Sequence, residues 1–254
     1  MKRSRQKIAA AVLKRFLRDT RGKQDWQRAL RALTLFMVKG HAPKFFARNK
    51  LARPFASAVK ALESVPRALP PGLPAIDAMS RLDAAWVEWA TGIEPKLPSR
   101  DEAGAFIDAT LRREGALWAW VMSVLAGQLG LDCRLEVPRA TVKLMSEEEH
   151  LYFLTHQVLF WTNYLSQPLP DKGPWPEGAR LVQGVGAVLA VKQLDLLAEI
   201  AFCLQVLRDD FEPAMAFEAF VDESGQLGED TGYSGTHEVA AALVALAGAL
   251  DRRA

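Results

Sequence analysis

Half of the 254 residues are hydrophobic, 24% are charged and the formal net charge is +2, a composition that excludes a disordered or fibrous chain and allows a large core in one or two domains. No apolar run reaches the roughly 18 to 20 residues of a membrane span without a charge or amide inside it. The two cysteines, Cys133 and Cys203, make neither a disulfide framework nor a zinc-finger spacing, which points to a reducing, cytoplasmic setting.

The charge is unevenly divided along the chain. Residues 1–60 hold 17 Lys and Arg against only Asp19 and Asp25, whereas the remaining 194 residues carry 15 basic and 28 acidic side chains. Residues 1–23 read as a basic amphipathic helix, with Ile8, Val12, Leu13, Phe16 and Leu17 on one face and Lys7, Lys14, Arg15 and Arg18 around the rest. Such a helix suits an anionic partner, whether a membrane surface, nucleic acid phosphates or an acidic peptide. Packing on the acidic remainder of the chain is the alternative. The Arg-rich, acid-poor pattern is also that of an organellar transit peptide, but the Ala, Arg and Leu usage reads as bacterial, and the helix is read as part of the fold.

Next come helices over 25–40, with Gly40 as a C-terminal stop, and over 49–65, with Pro54 in the first turn. The proline-rich run 65–74 cannot be helical. It separates a basic N-terminal helical region, residues 1–74, from a second region, residues 75–254. A short helix over 75–92 follows, and Ser99 with Glu102 makes a capping box for the next. From there, shorter polar helices at 100–112, 138–149, 177–188 and 212–222 alternate with longer apolar ones at 114–130, 150–165, 189–207 and 236–250. Only 133–137 looks extended. The fold class is therefore all-α, an array of helix pairs with the four apolar helices central, because a helix apolar on nearly every side must be buried on nearly every side.

The run 222–246 resembles the turn-plus-inner-helix unit of the α/α-toroid proteins, which include terpenoid cyclases and the catalytic subunits of protein prenyltransferases. In that unit an Asp-x-Gly turn and a glycine-bearing loop lead into an inner helix rich in Ala and Leu. Asp222, Ser224, Gly225 and Gly228 stand at the turn, and Leu227 takes the place of an aromatic residue. The resemblance covers residues 100–254 and implies an incomplete α/α-barrel. The chain is also similar to a family of uncharacterised bacterial helical proteins patterned as Leu-Thr-His with aromatics, then Asp-Leu-Leu-x-Glu, then a Tyr and a His before the last helix. The matching residues are Leu154, Thr155, His156 and Phe160; Asp195, Leu196, Leu197 and Glu199; Tyr233 and His237. Asn163 replaces an acidic residue of that pattern, and the gap from Tyr233 to His237 is longer. This likeness supports a site without implying a reaction.

If the inner helices run parallel, residues near their N-terminal ends converge at one mouth of the bundle. His156, Asp195 with Glu199, and His237 each fall in the first turns of an expected apolar helix, and Asp195 and Glu199, four apart, share a face. Through His156, Glu199 and His237 such a set offers ligands for a zinc or iron ion. Without a metal it is an acid–base group. Ordinary readings stand beside these: His237 at a helix start after Thr236 as N-cap, Asp195 placed for the helix dipole, and Glu199 paired on the surface with Lys192 or Arg208. Asp209 and Asp210 read as a cap before Pro213, and Gly184 and Gly186 as close-packing positions. Trp118, Trp120, Phe153, Phe160 and Trp161 line either a cavity or a core. No phosphate-binding loop, nucleophile elbow or His-Glu-x-x-His helix is present.

The expectation is an enzyme of bacterial specialised metabolism acting on a peptide or hydrophobic small molecule in a helical cavity, with His156, Asp195, Glu199 and His237 as catalytic residues. The alternative is a non-catalytic helical binding protein that recruits an anionic partner through its basic N-terminal region.

Overall fold

Apolar residues recur at helical spacing in nearly every segment between the proline and glycine breaks, and the chain folds accordingly. The computed structural model describes residues 2–70, 72–133, 135, 145–169, 176–191, 193–207 and 232–252, and among these it contains eleven α-helices and no strand. They are α1 (Lys2–Asp19), α2 (Asp25–His41), α3 (Pro43–Arg48), α4 (Ala52–Ala61), α5 (Ala75–Ala90), α6 (Arg100–Arg113), α7 (Ala116–Gln128), α8 (Glu147–Trp161), α9 (Pro176–Val191), α10 (Leu194–Leu207) and α11 (Tyr233–Arg252). The expected helix 212–222, the Asp222 to Gly228 turn, the pair Asp209 and Asp210, and most of 133–144 lie outside the described residues. No helix in the described residues is long and apolar enough to cross a membrane.

Six helices close a ring: α2 packs on α5, α5 on α7, α7 on α8, α8 on α10, α10 on α11, and α11 back on α2. Side-chain contacts at successive levels show that all six run in one direction. Trp26 of α2 meets Tyr233 of α11 near one end, and further along Phe36 of α2 meets Trp86 of α5. Trp118 of α7 lies against Tyr152 of α8, whereas Gln128 reaches the Phe160 carbonyl. Tyr152 bonds to Asp195 of α10, and deeper in the ring Gln205 donates to the Ala245 carbonyl of α11.

The four apolar helices expected at the centre are all in this ring, and α2 and α5 complete it. The apolar run of α2 from Leu33 to Val38 is buried almost all round apart from Phe36, which is why an otherwise amphipathic, basic helix takes an inner place. Residues 1–74 and 75–254 thus share one ring. Outside it, α1 packs on α11 and α2, α6 on α7, and α9 on α8 and α10.

The basic helix α1 spends its apolar face on this packing. Ala9, Val12, Leu13 and Phe16 are all buried, and Ile8 and Leu17 are partly buried against the same core. Arg15, Arg18 and Arg28 form ion pairs with Asp19 and Asp25 at 2.7 to 3.2 Å. The proline-rich connector is held by Arg67, whose guanidinium lies 2.8 Å from Glu88 of α5 with both side chains buried, and which also donates to the Leu62 carbonyl at 3.1 Å.

Several boundaries differ from the sequence reading for identifiable reasons. Ser146 accepts from the Glu149 amide and Glu149 accepts from the Ser146 amide, so this capping box starts α8 at Glu147 rather than 150. Ser99 accepts from the Glu102 amide, but the Glu102 carboxylate reaches the Leu69 amide of the connector instead of closing the box. The stretch 189–207 is two helices: the Gln193 amide bonds back five residues to Val188 at the end of α9, and Leu197 then bonds to Gln193 to begin α10. Gly184 lets α9 approach α8, because a Cβ there would lie 2.5 Å from Leu151 Cδ2.

Gly40 does not stop α2, which continues to His41. It is there for close approach, since a Cβ on Gly40 would sit 2.7 Å from the Ser166 Cα in the turn after α8. Gly40→Ala is therefore expected to lower stability by about 1–3 kcal/mol through overpacking. Gly104→Ala in α6, where a Cβ meets nothing within 4 Å, should raise it by about 0.5–1 kcal/mol. Chemical denaturation of the two variants measures both, and a stabilised Gly40→Ala would refute the close-packing account.

Candidate active site

The parallel ring brings four of the expected residues together at one end. Glu199, on the inward face of α10 and 3% exposed, lies between two imidazoles: its Oε2 is 3.9 Å from His156 Nδ1 of α8 and its Oε1 is 3.9 Å from His237 Nε2 of α11. His237 Nδ1 is in turn 3.9 Å from Asp195 Oδ2. Glu199 faces the ring interior rather than the surface, and Lys192 and Arg208, its alternative partners, lie outside the described residues. Because α11 begins at Tyr233, His237 is the fifth residue of its helix and Thr236 is not its N-cap. Because α8 begins early, His156 stands in its third turn.

Each group is held by local bonds. The Tyr152 carbonyl can only accept, so the 2.8 Å contact from His156 Nδ1 places a proton on that nitrogen and leaves Nε2 with its lone pair. The Thr155 hydroxyl donates to Glu199 Oε2 at 2.7 Å, and the Tyr152 hydroxyl donates to Asp195 Oδ2 at 2.6 Å. His237 stacks on Tyr233 one turn before it, with ring centroids 5.6 Å apart. The rings of Trp118 and His156 stand nearly perpendicular, with centroids 6.1 Å apart.

Burial sets the protonation states. Desolvation pushes the Glu199 carboxyl up to about 7, with the Asp195 charge adding to it and His237 and the Thr155 hydroxyl opposing it. The same desolvation lowers His156 to about 4, opposed by its bond to the Tyr152 carbonyl. Tyr152 is raised well above the ordinary phenol range by burial and by Asp195, so its hydroxyl keeps its proton. At neutral pH the site holds a neutral His156 with an open Nε2 beside a carboxyl poised between its two forms.

Two cavities meet at this group. An outer one of about 340 Å³ and an inner one of about 70 Å³ share Met79, His156, Glu199, Tyr233 and His237 in their walls. The inner one also receives Asp83 of α5, which accepts from the Tyr164 hydroxyl at 3.3 Å and which burial pushes up to about 7. Tyr164 reaches it because Asn163, Tyr164 and Leu165 are all left-handed, with φ of 45°, 52° and 64°, folding the chain back after α8.

Sequence reasoning did not identify Tyr152, Asp83 or Tyr164. Tyr152 carried a signal, since it lies four residues before His156 on the same helical face. Asp83 and Tyr164 carried none: one is a lone acid in an amphipathic helix, and the other depends on a turn no motif announces. Of the aromatics, Trp118 lines the outer cavity and Phe153 is buried in the core.

Among the described residues the donors are not grouped as a metal site. The His156 nitrogen that faces Glu199 carries the proton given to Tyr152, and Glu199 Oε2 is engaged by Thr155. Among the described residues no three His, Cys, Asp or Glu side chains converge as a cation site. What the geometry offers is proton transfer. No family model, curated protein or solved structure matches this chain.

Proposed function

We propose that the protein is an enzyme of bacterial specialised metabolism that carries out general acid–base chemistry on a peptide or hydrophobic small molecule in the ring cavity. The observation that carries this reading is Glu199, buried between His156 and His237 at the junction of two cavities and raised to about 7. A carboxyl with a value near neutrality gives and takes protons with nearly equal ease, the condition under which a single group serves as both acid and base. His156 Nε2 is a second acceptor, and Tyr152 holds Asp195 in place beside His237. The apolar walls, with Met79 in both cavities and Trp118 and Met122 in the outer one, support a substrate with hydrophobic bulk. The parallel inner helices are in keeping with the α/α-toroid resemblance, and the short motifs around His156, Glu199 and His237 with the likeness to the uncharacterised bacterial helical family.

The test is a comparison of wild-type protein with Glu199→Gln by mass spectrometry after incubation with a bacterial metabolite and peptide extract. At least one mass feature is expected to be consumed by the wild type and spared by the variant, with a rate ratio of about 10²-fold or more for loss of a general acid–base group. If the folded wild type and variant leave identical extracts, the catalytic reading is rejected in favour of a binding protein.

A further inference from the structure

The outer cavity is lined by carboxyl groups, and the described residues around it bring no matching ammonium or guanidinium. Among the described residues that line it, Glu114, Glu148, Asp195 and Glu199 are acidic and none is Lys or Arg. A cleft with low-dielectric walls focuses such a potential inward and concentrates cations. The rings of Trp118, Tyr152 and Tyr233 stand in the same walls, and aromatic rings add attraction for a cation within about 6 Å of their faces.

The carboxylates are also half-engaged in a way that selects among cations. Tyr152 occupies Oδ2 of Asp195 and Thr155 occupies Oε2 of Glu199. Glu199 Oε1, on a side chain 4% exposed, takes no hydrogen bond among the described residues, and His237 Nε2 stands 3.9 Å from it, too long for one. Among the described residues each carboxylate thus leaves one open oxygen, and the two groups lie a turn apart on one face of α10. A guanidinium wants two oxygens of one carboxylate, and a divalent ion wants a converging donor shell. An ammonium, a compact charge with three separate donors, suits two single oxygens.

Resting on the reading that this cavity is the active site, we propose that its ligand bears a primary ammonium group, bound between Asp195 and Glu199 with Trp118 and Tyr152 beside it and its apolar remainder against Met79 and Met122. An anionic ligand would have to lose its hydration against the acidic side chains of Glu114, Glu148, Asp195 and Glu199. A neutral alcohol would forgo the charge-assisted bond to Glu199 Oε1.

The probes are 2-phenylethylamine, 2-phenylethanol and 3-phenylpropionate, titrated calorimetrically into the full chain at one ionic strength. The amine is expected to bind at least about tenfold more tightly than the alcohol, a difference of about 1.4 kcal/mol, and the carboxylate most weakly. Glu199→Gln and Asp195→Asn, with helical content checked by circular dichroism, should each remove most of the amine's advantage while leaving the alcohol within about threefold. Equal binding of amine and alcohol, a preference for the carboxylate, or no amine binding up to about 10 mM overturns the proposal. A protein indifferent to the amine that still consumes a substrate through Glu199 would reject this inference alone and leave the acid–base reading standing.

Discussion

Glu199→Gln is expected to gain stability relative to the wild type as pH rises, by on the order of 3 kcal/mol between pH 5 and pH 8. The sign follows from which state holds the proton. Burial raises the Glu199 carboxyl from its ordinary value of 4.5 to about 7, so between those values the folded protein binds a proton that the unfolded chain has released. Wherever the folded state binds more protons, stability falls as pH rises. The wild type therefore carries a penalty that is absent below about pH 4.5 and fully developed above about pH 7. Gln keeps an oxygen for the Thr155 hydroxyl and has no charge to desolvate. Asp83, also raised to about 7, adds a term of the same sign, and His156, lowered to about 4, adds one of opposite sign as pH falls below its ordinary 6.5. Both remain in the variant, so the difference between the two proteins isolates Glu199. Urea unfolding at four pH values measures it. A difference that stays constant with pH would mean that Glu199 titrates normally, and one that falls with pH would mean that a charged Glu199 is stabilised by His237.

The helices were legible because their signal is periodic and repeated. Each apolar helix is long enough for its period to stand out from the turns around it, and burial on all sides follows from apolarity on all sides. Boundaries were less legible where a side chain has two possible partners. Glu102 had the spacing of a capping box, but the Leu69 amide from a segment thirty-three residues earlier competes for the same carboxylate. Gly40 read as a stop because propensity is a local property, whereas the contact with Ser166 that requires glycine there is tertiary. The site divides the same way. His156, Glu199, His237 and Asp195 were visible as ionisable residues interrupting apolar helices, and the parallel ring brings them together. Asp83 was not visible, because what makes it unusual is the cavity it faces and the Tyr164 hydroxyl beside it, and both come from helix packing and a left-handed turn rather than from its own neighbourhood in the chain.

Trp86→Ala is expected to be among the most damaging single substitutions, costing about 3–5 kcal/mol. Trp86 is 0% exposed and sits where three elements meet: its ring centroid is 5.2 Å from Phe36 of α2 in an edge-on contact and 4.5 Å from Tyr164 in the turn after α8. Removing the indole takes away the surface on which α5 meets α2 and the turn after α8, and leaves a cavity in the buried core. For a chain of this size such a loss lowers Tm by about 6–20 °C. Trp86→Phe separates volume from polarity. The indole Nε1 is buried without a hydrogen-bond partner, a defect that costs roughly 1–3 kcal/mol, so phenylalanine gives up packing but also removes an unsatisfied donor. It is expected to stay within about 1.5 kcal/mol of the wild type. The alanine variant should also disturb the inner cavity, because Tyr164 packs on Trp86 while its hydroxyl donates to Asp83, three residues earlier on α5. Loss of that bond removes a contact that favours the ionised Asp83, so its carboxyl should move further up, readable as a shifted carbon resonance in a selectively labelled sample. Differential scanning calorimetry of both variants decides the stability argument: an alanine variant that melts within about 3 °C of the wild type would mean that the ring is closed by its other five contacts and that the aromatic junction is only filling space.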